Sequence, residues 1–198
     1  MIKKIVTYVN DEGFEFNFEP IEDTLSIKKT KDGFEARYLI RDDITESPDE
    51  EEDTGVFLVN YHSDFCVERD EIITEDDVKA WYRATRKVLQ EKDYHMFALA
   101  CLVHGGVWLS LEKGFTCDPG GWDTSHVGLV LISKLEAKKV EKALELAQGL
   151  IEYWNKYLSG DVYCTVKEEY DKDKKPIDYD VVGGCYGYNH AQECLVSI

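Results

Sequence analysis

The stretch "GFTCDPGGWDTSHVG" (114–128) places a thiol, two carboxylates and an imidazole within ten positions: Cys117, Asp118, Asp123 and His126. Such a set suits nucleophilic catalysis, with Cys117 as nucleophile, His126 as its base and Asp118 or Asp123 orienting the imidazole. Members of such triads normally come from separate elements, and three of them within one turn rarely meet. A structural role is simpler. Gly120-Gly121 supply unusual backbone angles, and Asp123, Thr124 and Ser125 can hydrogen-bond the turn's own backbone. Trp122 is expected to pin the loop to the core. The loop is therefore read as structural. A cysteine-dependent hydrolase or transferase using Cys117, His126 and Asp123 is the alternative.

A second set lies near the C-terminus. Cys185, His190 and Cys194, with Cys164 on the preceding strand, are the right residue types to bind zinc. Their spacing matches no standard zinc module, and strand cysteines beside Val and Gly more often pack as small hydrophobes. No metal or other cofactor is expected. The acidic runs "DEEEDTG" and "DKDKKPID" lack the alternating pattern of a calcium loop, and neither a phosphate-binding nor a dinucleotide-binding glycine motif is present. His62, His95 and His104 are isolated and read as strand histidines.

The charge distribution is the strongest signal. The chain carries 40 acidic and 23 basic residues for a net charge of −17. Fifteen of the acids lie between Asp42 and Asp77, with Arg69 the one base among them. Such a segment repels nucleic acid and anionic membranes and attracts basic surfaces. Its acids run from a loop (Asp49, Glu50, Glu51, Glu52, Asp53) to a helix start (Asp70, Glu71, Glu75, Asp76, Asp77), so part of the array should be rigid. Phe57, Tyr61, Phe65, Trp81 and Tyr82 are interleaved and could add apolar contacts, as interfaces favour.

These residues must be positioned by a mixed set of elements. "KKIVTYVN" and "FEFNF" read as strands, and Leu25–Tyr38 as a hairpin turning at Asp32-Gly33. Residues 41–55 are an acidic loop. "VFLVNYHSDFCV" is a strand, and Thr74 caps a helix reaching about Lys92 with Val78, Trp81, Tyr82, Thr85 and Val88/Leu89 on one face. "MFALACLVHGGVWLSLE" is two strands or one bent strand, and "HVGLVLISK" a buried one. Leu135–Leu158 is a helix whose stripe is Val140, Leu144, Ala147, Ile151, Trp154 and Leu158. Two more strands, "VYCTVKEEY" and "YDVVGGCYGY", close the chain. The expected fold is α+β, a mainly antiparallel sheet packed against two amphipathic helices, in a single domain 1–198. The N-terminus lacks the features of a signal peptide and no apolar run is long enough to span a bilayer, so a cytoplasmic protein is expected.

The segments "LVHGGVWLSLEKGFTCDPGGWDTSHVGLVLISK", "YLSGDVYCTVKEEYD" and "GGCYGY" resemble a family of small, acidic, uncharacterised phage and prophage proteins over residues 94–188. That family has a His-Ser-Gly strand, a Cys-containing W-D-[ST]-[SG]-Q-V-G turn, Y-L-[TS]-G-D-V-Y and a terminal Cys-Trp-Gly strand. Here His126 replaces the Gln of the turn, and Cys185-Tyr186-Gly187 replaces Cys-Trp-Gly. Such swaps are mild for packing and costly for catalysis, which supports the structural reading of the loop. The resemblance implies a phage-type protein acting in a host cell. Joined to the charge, it leads to the expectation of an inhibitor whose acidic face, 42–77, imitates DNA. Its partner would be the basic nucleic-acid-binding surface of a host defence protein, in the manner of an anti-CRISPR or anti-restriction factor. Direct contact with nucleic acid or membrane is not expected.

Overall fold

A computed structural model describes residues 8–43, 47–48, 55–84, 88–111 and 114–198. The fold is α+β, with every strand pairing antiparallel. The chain divides into two compact units, Met1–Glu46 with Gly160–Ile198, and Ser47–Ser159. The second is thus an insertion within the first, entered through the acidic 41–55 segment.

The first unit begins with a small hairpin of β1 (Tyr8–Val9) and β2 (Glu15–Phe16), then β3 (Ser26–Lys29) and β4 (Phe34–Arg41). The β3–β4 hairpin closes at the Lys29↔Phe34 pair around a Thr30–Gly33 loop, with Thr30 N–H bonded to the Gly33 carbonyl at 3.0 Å. Asp32-Gly33 therefore does not form a two-residue turn. Gly33 is required for a different reason: a Cβ there would lie 1.9 Å from the Tyr170 carbonyl oxygen.

The second unit holds a five-stranded sheet. Its strands are β5 (Val56–His62), β6 (Phe65–Val67), β7 (Tyr94–Val103), β8 (Val107–Ser110) and β9 (Thr124–Ser133), in the order β6-β5-β9-β7-β8. Helix α1 (Glu75–Arg83) covers one face and α2 (Val140–Leu158) the other. The central strand β9 is sandwiched, with Leu129 and Leu131 toward α1 and Val130 and Ile132 toward α2. Burial on both faces explains why this strand has an unbroken apolar run instead of alternation. The edge strand β8 is closed by α2: Asn155 Oδ1 accepts from Leu109 N–H (2.8 Å) and Asn155 Nδ2 donates to the Leu109 carbonyl (2.9 Å). Side-chain pairing of this kind shields an edge from other strands.

Both helices are shorter than their periodicity predicts. Helix α2 starts at Val140, and Leu135 is left exposed in a turn. Its buried stripe runs through Ala143, Ala147, Leu150, Ile151 and Trp154, leaving Val140 and Leu144 exposed. Helix α1 is capped by Thr74 as expected, its hydroxyl accepting from Asp77 N–H at 3.3 Å. It ends at Arg83 because Ala84 turns left-handed, with φ 49°. Thr85 of the expected apolar face lies outside the described residues.

The chain then returns to the first unit through β10 (Val162–Tyr170), β11 (Pro176–Tyr186) and α3 (Tyr188–Ser197), completing a sheet in the order β11-β10-β4-β3. Phe14, Phe16, Phe34, Tyr38 and Tyr170 pack edge-to-face over one side of it. Such pairs add about 0.5–1.5 kcal/mol each beyond area burial. Within this cluster the fully buried Glu168 accepts from Asn17 N–H (3.0 Å) and from the Tyr170 hydroxyl. Helix α3, a third helix where the sequence predicts two, covers the other side over Leu39, Tyr163 and Cys185.

Two glycine substitutions test this packing in opposite directions. Gly33→Ala drives a methyl into the Tyr170 carbonyl and should cost about 1–3 kcal/mol. Gly149→Ala, inside α2 with nothing within 4 Å of a new Cβ, should gain about 0.5–1 kcal/mol. Urea unfolding of the two variants beside wild type measures both.

Candidate functional site

The described acids of the 64–77 stretch gather around the β5–β6 hairpin and the start of α1. Tyr61, near the end of β5, is fixed by its hydroxyl, 2.8 Å from the Ile73 carbonyl and 3.1 Å from Asp70 Oδ1. Cys66 on β6 is exposed, with its sulfur 3.6 Å from Glu68 Oε1. Glu68, Asp70 and Glu75 all act on the Cys66 thiol. Partial burial, the Glu68 hydrogen bond and the field of the three carboxylates together raise its pKa above the ordinary value. Tyr61 is likewise raised, by burial first and then by Asp70 and Glu68. Burial first, and then the same carboxylates, push both groups in the same direction.

Thr74 orders the adjoining end of this cluster. Besides capping α1, its hydroxyl lies 3.0 Å from Asp77 Oδ2. Glu75, Asp76 and Asp77 fill the first turn, where the helix dipole favours negative charge by about 0.3–1 kcal/mol per residue. Glu75 also pairs with Lys79 at 2.7 Å, both about half exposed, so its charge is partly compensated. Glu71 and Asp76 are exposed. Thus Asp70, Glu71, Glu75, Asp76 and Asp77 are brought together on ordered backbone. Asp49, Glu50, Glu51, Glu52 and Asp53 lie outside the described residues. Asp42 belongs to the first unit, where its carboxylate accepts from Gly184 N–H at 2.9 Å.

The interleaved aromatics do not form an exposed rim. Phe57, Tyr61, Trp81 and Tyr82 pack over the α1 face of the sheet, and Phe65 packs edge-to-face on Trp154. Their spacing is that of the core, and the acids stand over them.

The Cys117 loop is built around Asp118. Its carboxylate accepts from Trp122 N–H (2.9 Å), Asp123 N–H (3.0 Å) and the Thr124 hydroxyl (2.7 Å). These bonds, the Thr124 hydroxyl foremost, lower the Asp118 pKa below the ordinary range. The loop is thus a self-bonded turn, though organised by Asp118 more than by the residues expected to do so. Trp122 is 90% exposed and does not pin the loop to the core.

Cys117 and His126 line different cavities. Asp123 pairs instead with His104, Oδ2 to Nδ1 at 3.0 Å, and both line the cavity of about 410 Å³ that includes Cys117. Leu102, Trp108 and Phe115 supply its apolar wall. His104, read from the sequence as an isolated strand histidine, lies instead in the turn between β7 and β8, which only the sheet register brings beside β9. For zinc, among the described residues no group of three or more His, Cys, Asp or Glu is placed to hold a metal ion. Cys194 does lie 3.6 Å from His190 Nε2, and Cys164 bonds with the Asp42 carboxylate.

One alkylation experiment tests both arrangements. A raised pKa means less thiolate at any pH below it, so Cys66 reacts slowly at pH 8 and speeds up when the carboxylates are removed. Glu68→Gln with Asp70→Asn should raise its iodoacetamide rate by about threefold or more and leave Cys117 unchanged. At Cys117, His104→Gln should alter the rate and His126→Gln should not. The reverse would restore His126 as the neighbour that matters.

No protein-family model, no curated protein and no solved structure matches this chain, and its function must be read from its own geometry.

Proposed function

We propose that this chain is an interaction protein whose acidic surface docks on a basic, nucleic-acid-binding surface of another protein, as a phage-type inhibitor of host defence would. The observation carrying this reading is the gathering of Glu68 against Cys66 and of Asp70 against the Tyr61 hydroxyl, with Glu75 also acting on Cys66, beside the acidic first turn of α1. An ordered row of carboxylates presents charge at fixed positions, as a phosphate backbone does. A solvated charge run kept only for solubility needs no such fixing. The phage-type element of the proposal rests on the resemblance of residues 94–188 to phage and prophage proteins.

A second reading, a cysteine-dependent hydrolase or transferase, is favoured by one observation. Cys117, His104 and Asp123 share a cavity with an apolar wall, and Asp123 orients the His104 ring. Its imidazole is His104 in place of the expected His126. The side chains of His104 and Asp123 are 78% and 45% exposed, an open setting that excludes little water.

Affinity capture from host lysate at low and high salt tests the first reading. Wild type is compared with Asp70→Asn/Glu71→Gln/Glu75→Gln/Asp76→Asn and with a variant neutralised at 49–53. Nucleic-acid-binding proteins should be retained by wild type at low salt, fall by about tenfold or more with either variant, and be lost at high salt. Retention that is indifferent to salt and to both variants would overturn the proposal.

A further inference from the structure

Helix α3 carries a thiol, an imidazole and a carboxylate on one face. His190 and Cys194, four residues apart, are neighbours on the helix surface. His190 Nε2 lies 3.6 Å from Cys194 Sγ, and His190 Nδ1 lies 3.9 Å from Glu193 Oε2. In the tautomer that carries its hydrogen on Nδ1, the side facing Glu193, Nε2 can accept the thiol proton. Among the described residues, Cys194 is the one cysteine with an imidazole nitrogen in hydrogen-bond range. Beneath it, Cys185 at the end of β11 is 4% exposed, and Cys194 packs against the cluster that Cys185 forms with Leu39, Tyr163 and Ala191. The structure therefore places one accessible, base-assisted thiol over one buried thiol.

We infer that Cys194 and Cys185 form a redox-modification site, in which a peroxide oxidises Cys194 and Cys185 resolves the product as a disulfide. The Cys194 thiol passes its proton to His190 Nε2. Its sulfur attacks one peroxide oxygen, forming an S–O bond as the O–O bond breaks. The leaving hydroxide takes the proton back from His190 and departs as water. Cys185 sulfur then attacks the sulfur of the sulfenic acid. An S–S bond forms, the S–O bond breaks, and hydroxide leaves with the Cys185 proton as a second water. Two thiols lose two electrons and two protons, and hydrogen peroxide is reduced to two waters.

The other thiols are placed for other fates. Burial and the side chain of Cys194 push the Cys185 thiol up to about 11, so it waits as the resolving partner until the sulfenic acid exists. Cys164 is pushed up to about 12 by burial and by its bond to Asp42. Cys101 is buried and Cys66 stands among carboxylates.

The test treats the full chain with equimolar hydrogen peroxide, traps free thiols under denaturing conditions and maps all six cysteines by mass spectrometry. A Cys185–Cys194 disulfide should form, with the loss of two hydrogens, and reverse with dithiothreitol. Cys185→Ala should instead accumulate a dimedone-reactive sulfenic acid at Cys194. His190→Gln should slow oxidation by about tenfold or more. If Cys185→Ala fails to fold by circular dichroism, Cys194→Ser decides, since it should leave Cys185 reduced. Oxidation of Cys66 or Cys117 while Cys194 stays reduced, a disulfide involving Cys164, or an unchanged rate in His190→Gln would overturn the inference.

Discussion

The Tyr82 hydroxyl holds the second unit in register with the helix that carries its acids. It donates to the Gly128 carbonyl (2.6 Å) and accepts from Leu99 N–H (3.1 Å), where the β7–β9 ladder slips between Leu99 and Cys101. Backbone groups freed by that irregularity are satisfied by a side chain from α1, as buried polar groups must be. Burial pushes the Tyr82 hydroxyl up to about 12, so it remains a donor across the working pH range. Gly128 has no alternative at this point. A Cβ there would lie 2.6 Å from both Asn60 Oδ1 and the Val59 carbonyl. Because Tyr82 is stapled to the sheet, the Thr74 cap and the carboxylates of Glu75, Asp76 and Asp77 are carried on a fixed helix.

The first unit meets a comparable problem with different chemistry. Its sheet is assembled from chain segments more than a hundred residues apart, with Phe34–Arg41 paired along Tyr163–Tyr170. Arg41 stacks on the Tyr163 ring at 4.6 Å and donates to the Gly160 carbonyl at 3.0 Å, holding the two returning ends together. Further along, Glu168 ties the N-terminal segment to β10 through Asn17. A buried carboxylate is tolerated there because backbone and phenol donors surround it, and burial beside Glu168 raises both Tyr38 and Tyr170.

Much of the architecture was legible in the sequence, because strands and helices carry their own periods. The Thr74 cap and the sandwiched β9 follow from local pattern, and the break at Gly105-Gly106 does too, although only the fold decides that it makes two paired strands and not one bent one. The insertion does not, since pairing between β4 and β10 leaves no local trace. Helix α3 lacks a strong apolar stripe, with only Ala191 buried along it, and so went unassigned. The site was legible as charge and illegible as geometry. Composition located the acids, but only the fold shows that Asp42 bonds inside the first unit while Asp70 and Glu75 converge in the second. The aromatics among the acids misled for a related reason: the same spacing serves an interface and a core. His104 reads as isolated in the sequence because its partner, Asp123, is nineteen positions away and is delivered by strand register.

Under the proposed function, a carboxylate surface competes with a phosphate backbone for the same basic cleft. The most direct test takes a host protein retained in the affinity capture, loads the chain with it and adds increasing double-stranded DNA at constant ionic strength, following that protein by gel filtration. Displacement of the partner from the chain into a complex with DNA is the predicted result. A stable complex holding chain, partner and DNA together would contradict the account, because the two ligands would then occupy different surfaces.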